Sequence, residues 1–101
     1  MTHPDVTPRN VGWALSVNTR ARGFIVVAGT GLNRSWWQGP ESLAGRVWDK
    51  DINRWTGWWP NADRANNALR KVYGATPPPC TVMPLTQKQA DKVRTRMAVS
   101  S

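Results

Sequence analysis

The chain has 101 residues, 40% of them hydrophobic, and a formal net charge of +8. That length suits one domain around one modest core, and the apolar content separates it from disordered chains. The charge favours an anionic partner, a nucleic acid or an acidic protein surface. No apolar run approaches membrane-spanning length, so no membrane partner is expected, and the single cysteine, Cys80, excludes an intrachain disulfide and argues against a cysteine-built metal site.

Residues 1–8, with two prolines and two threonines, read as a flexible N-terminal arm, and the single domain occupies 9–101. The arm lacks the apolar core of a secretion signal. The expected location is therefore cytoplasmic, the host cytoplasm if a phage encodes the chain. Arginine outnumbers lysine and alanine is plentiful, the composition of a GC-rich bacterial or phage genome.

Val11, Trp13, Leu15 and Val17 alternate with Gly12, Ala14 and Ser16, which predicts a half-buried strand. Phe24–Ala28 is a short apolar run. The connection between the two is too short for a parallel crossover, so an antiparallel hairpin is expected. The run then enters Gly29-Thr-Gly31. A dinucleotide-binding turn would place its third glycine where Arg34 stands, so this is read as a tight turn after a buried strand.

Six of the seven tryptophans lie between Trp36 and Trp59, and Trp36-Trp37 and Trp58-Trp59 are adjacent. Neighbours in an extended strand point to opposite faces. On that basis one member of each pair is expected away from the core. The chain has few leucines, so Trp13, Trp48 and Trp55 are assigned to the core as filler. Trp36, Trp37, Trp58 and Trp59 become candidates for stacking on bases or anchoring a protein partner.

The stretch 41–59 has two readings. Leu43, Val47, Ile52, Trp55 and Trp59 fit helical spacing. Asp49, Asp51, Asn53, Gly45 and Gly57 disfavour a helix. The favoured alternative is a hairpin of 46–49 with 54–58, placing Trp48 near Trp55. Asp49-x-Asp51-x-Asn53 has the oxygen spacing of a calcium loop, but Arg54 and Pro60 stand where its glycine and glutamate belong. A polar turn is expected there.

Ala62, Ala65, Leu69, Val72 and Tyr73 share one helical face, with Asn61 as N-cap and Gly74 as stop, predicting a helix over about 61–73. Pro77-Pro78-Pro79 is a stiff spacer. Cys80 to Leu85 suits a short edge strand. Thr86 and Gln89 form a capping-box pattern that opens a helix over about 86–97, with Ala90, Val93 and Met97 inward. Lys88, Lys92 and Arg96 recur every four residues on its outer side, and Arg64 and Lys71 lie outside the preceding helix.

These elements predict a small α+β domain: an antiparallel sheet of three to five short strands with both helices packed on one face. His3, the only histidine, sits in the arm, and Cys80 has no evident base, so no catalytic set is seen. No cofactor or metal is expected. The expected function is a non-enzymatic nucleic-acid-binding accessory protein. Arg64, Lys71, Lys88, Lys92 and Arg96 would hold phosphates, and exposed tryptophans would stack on bases. The alternative is a small phage-type inhibitor or modulator that binds host nucleic-acid-processing or defence machinery through tryptophan hot spots. The tryptophan-rich stretch is close to neutral, with the basic excess downstream, which favours that alternative.

Overall fold

The structure, a computed structural model, describes residues 10–17, 22–40 and 42–100. The arm expected over 1–8, and with it His3, lies outside them. The elements run α1 (Val11–Val17), β1 (Phe24–Ala28), β2 (Ser35–Trp37), β3 (Trp48–Asp49), α2 (Ala62–Tyr73), β4 (Thr81–Pro84) and α3 (Gln87–Ser100). The four strands form an antiparallel sheet in the order β3-β2-β1-β4. The α+β class and the small antiparallel sheet are as the sequence predicts, and a third helix is added.

That third helix is the segment predicted as the first strand. Asn10 accepts the Trp13 amide on its side chain at 2.8 Å and the Ala14 amide on its carbonyl at 2.9 Å, which caps the first turn. The Val11 and Gly12 amides, which have no acceptor within the helix, donate to the carbonyls of Thr56 and Arg54, each at 2.9 Å. The alternation misleads because burial does not follow it: Val11, Gly12, Ala14 and Leu15 are buried, at helical spacing, while Ser16 and Val17 are exposed. A Cβ on Gly12 would come within 2.6 Å of Arg54 Cβ, so the close approach of helix and loop depends on that glycine.

β1 instead makes its hairpin with β2, through Val27↔Trp36 and Ala28↔Ser35. The turn between them uses Gly29 at φ +81°, where a side chain would also strike the Asn33 carbonyl. The Gly-x-Gly motif therefore serves a tight turn and a short 3₁₀ segment, Gly31–Asn33. Neither reading of 41–59 holds. β3 pairs with β2, through Trp36↔Asp49 and Trp37↔Trp48, so the strand at 48–49 is the far arm of a different hairpin. Gly57 bridges to Asn10 at the start of α1, and Trp59 bridges to Phe24 of β1.

The two predicted helices lie on opposite faces of the sheet. Ile25, Val27, Trp36 and Trp58 pack with Val11, Ala14 and Leu15 of α1 and Ala90 and Val93 of α3. Val26, Trp37 and Trp59 pack with Ala65, Ala68 and Leu69 of α2. Alternation along β1 and β2 thus feeds two hydrophobic layers. The continuous apolar run 24–28 is the pattern of a strand covered on both sides.

This double covering reverses the tryptophan assignment. Adjacent tryptophans do point to opposite faces, but both faces are core. Trp36, Trp37, Trp58 and Trp59 are 4%, 0%, 9% and 9% exposed, while Trp13 and Trp48 are half-buried and Trp55 is 56% exposed. Trp37 stacks on Trp59 at 5.3 Å between centroids and lies 6.2 Å from Trp48. Its indole N–H donates to the Gly45 carbonyl at 2.7 Å, and that of Trp48 donates to the Tyr73 hydroxyl at 3.0 Å.

Candidate nucleic-acid interface

With the paired tryptophans inside, function has to be sought on loops and on the outer sides of helices. The predicted cations divide between two sides of the molecule. Arg64 and Lys71 are exposed on α2, over one sheet face. Lys88, Lys92 and Arg96 are exposed on α3, over the other. The five therefore do not make one surface.

The α3 group is completed by residues that the helical pattern does not mark. Lys88 and Lys92 line a groove of about 490 Å³ with Arg34, Lys50, Asp51, Ile52 and the 3₁₀ segment at Gly31 and Leu32. Its walls come from three places in the chain: α3, the β1–β2 turn and the loop after β3. Four cations and one acid face it. The edge of Trp36 contributes to the lining, and the Arg34 guanidinium lies 5.7 Å over that ring, a cation–π contact that orients the arginine.

Local chemistry sets each wall. α3 starts where Thr86 and Gln89 cap each other: the Gln89 amide donates to Thr86 Oγ1 at 3.2 Å, and the Thr86 amide donates to Gln89 Oε1 at 2.9 Å. This capping box fixes the first turn and therefore where Lys88 and Lys92 emerge. The loop after β3 is shaped by its own polar side chains. Asp49 Oδ2 accepts from Gln38 at 2.7 Å and Asn53 at 3.3 Å; the Asn53 amide donates to Thr56 Oγ1 and the Trp55 amide to Asn53 Oδ1. The Asp49-x-Asp51-x-Asn53 stretch is therefore a polar turn, and among the described residues no group of three His, Cys, Asp or Glu side chains converges. Arg96 Nη1 donates to the Ile52 carbonyl at 3.3 Å and ties this loop to α3.

Beyond Ile52 the same loop carries Arg54 and Trp55. Their side chains face each other, the guanidinium 5.1 Å from the ring centroid, and with Asn10, Trp13, Ser16 and Met97 they line a second, shallower depression of about 300 Å³. Trp55, assigned to the core because leucines are few, is instead a surface residue. The available signal was its setting, between Arg54 and Thr56 in a polar turn. Arg34 and Lys50 were missed because they sit in loops, where no periodicity groups them with α3.

Cys80 lies half-buried against the α2-side cluster, and burial raises its thiol pKa above the ordinary value. It is a packing residue here, on the α2 side of the sheet. No described helix is long and apolar enough to cross a membrane. Comparison with protein-family models, curated proteins and solved structures finds no match to this chain.

Proposed function

We propose that the protein is a non-enzymatic, cytoplasmic accessory protein that binds nucleic acid through the groove between α3 and the loops at 31–34 and 50–52. One observation carries the reading: Arg34, Lys50, Lys88 and Lys92, from three separate segments, converge on one cleft opposed by Asp51 alone. Affinity for a phosphate backbone comes from several cations held along a track, and each neutralised phosphate releases counterions. Lysines on a capped helix and an arginine oriented over an indole are held for such contact. The excess of basic over acidic residues in the whole chain adds long-range attraction.

The test is the salt dependence of oligonucleotide binding. Each phosphate contact contributes a log–log slope of about −0.7 to −0.9. Replacing Lys50, Lys88 and Lys92 by Ala should flatten the slope by about 2, on the same per-phosphate value. Replacing Arg64 and Lys71, on the far face, should leave it nearly unchanged. No binding at low salt, or equal effects of both sets, would refute the groove. A protein-binding role has one observation in its favour: exposed Trp55 beside Arg54 pairs two residue types that dominate interface hot spots. Tight, salt-tolerant capture of an acidic protein, lost on changing Trp55 alone, would support that alternative.

A further inference from the structure

The basic groove and the Trp55 depression draw on the same two elements. α3 supplies Lys88 and Lys92 to the first and Met97 to the second. The loop after β3 supplies Lys50, Asp51 and Ile52 to the first and Arg54 and Trp55 to the second. The Arg96–Ile52 hydrogen bond ties that loop to α3. Met97 lies nine positions beyond Lys88 and, at about 3.6 residues per turn, on the other side of α3, so the two depressions are linked through the loop. The loop therefore carries the surface from the cationic stretch to the exposed indole, over the five positions from Lys50 to Trp55.

Resting on the nucleic-acid reading above, we propose that the ligand is single-stranded, its backbone along the cationic groove and one unpaired base stacked on Trp55. A duplex offers phosphates to the groove, but its bases are stacked on each other and offer no face to an indole. A single strand offers both. Trp55 is 56% exposed, and it is the tryptophan of this chain most open to solvent among the described residues. Arg54 against the ring adds a planar cation that can pack on the same base or pair with the adjoining phosphate. Stacking accepts any base, so the contact should confer strandedness preference with little sequence preference.

The experiment is fluorescence anisotropy of labelled single-stranded and duplex oligonucleotides of equal length with the full chain, at fixed moderate salt. The wild type should bind the single strand more tightly. Trp55→Ala should weaken single-strand binding by about 5- to 150-fold, the range expected for one lost base stack, and leave duplex binding unchanged. Trp55→Phe, which keeps an aromatic face, should recover part of the loss. Because Trp55 is a surface residue, circular dichroism and thermal midpoint should match the wild type. Equal affinity for both strands, or Trp55→Ala without effect, overturns this inference while the groove variants still report on backbone binding. Absence of binding to either oligonucleotide overturns both readings.

Discussion

Trp37→Ala should unfold this protein at far lower denaturant than the wild type, with no separate effect on ligand binding while the protein stays folded. Trp37 is fully buried, stacks on Trp59, lies near Trp48 and Tyr73, and its N–H satisfies the Gly45 carbonyl. Truncating a buried tryptophan costs about 3–5 kcal/mol through lost transfer energy and the cavity left behind. The Gly45 carbonyl also loses a donor in a buried setting, so the upper part of that range is expected. Total stability for a domain of this kind is about 5–15 kcal/mol, so the variant should be marginal. In urea, with a slope of about 2 kcal/mol/M, the midpoint should fall by about 2 M. Far-ultraviolet circular dichroism is the suitable probe, because the substitution itself alters tryptophan fluorescence. Trp37→Phe is the companion variant: it keeps ring stacking, loses the N–H and should fall between the two. A midpoint within about 0.3 M of wild type for Trp37→Ala would refute the assignment of the tandem tryptophans to the core, since losses of this size follow any large buried truncation.

Leu69→Ala should cost about 2–5 kcal/mol in the same assay, because Leu69 is 4% exposed at the centre of the α2 layer; an unchanged midpoint would show that layer to be loose. Gly45→Ala should destabilise by more than a typical surface change, since the residue sits at φ +70° and a Cβ would lie 2.7 Å from Val72 Cγ2; calorimetry would register it as a lower Tm. Thr86→Ala should remove about 1 kcal/mol by breaking the capping box and should also weaken oligonucleotide binding modestly, while Thr86→Ser should restore both. Burial disfavours the Cys80 thiolate, so its alkylation rate should rise with pH through a midpoint above that of a free thiol; a midpoint at or below it would contradict the packing role.

The parts of the fold visible in the sequence are those fixed by local chemistry. Asn61 accepts the Arg64 amide at 2.9 Å and Gly74 ends α2, so the cap residues and the apolar spacing define that helix. Thr86 and Gln89 do the same for α3, and Pro84 closes the edge strand β4. What the sequence hid depends on partners distant in the chain. α1 has a local cap in Asn10, but its first two amides find their acceptors on Thr56 and Arg54, which no window around 11–17 reveals. The tryptophan burial followed from whether the second sheet face was covered, a property of where α2 docks. The candidate site divides in the same way: Lys88 and Lys92 were legible as a helical stripe, while Arg34, Lys50 and Trp55 join them only through the turns that carry them there.

The tandem tryptophans also bear on how the domain comes apart. Trp36 and Trp37 are joined by a single peptide bond yet sit in different hydrophobic layers, and Trp58 and Trp59 repeat the arrangement. Releasing Trp37 from the α2 side therefore disturbs the backbone that seats Trp36 on the α1–α3 side. The two layers should not melt as separate units, although each has its own helices. Native-state hydrogen exchange should show the amides of β1 and β2 opening together with those of α2 and α3, in one cooperative event near the global unfolding free energy.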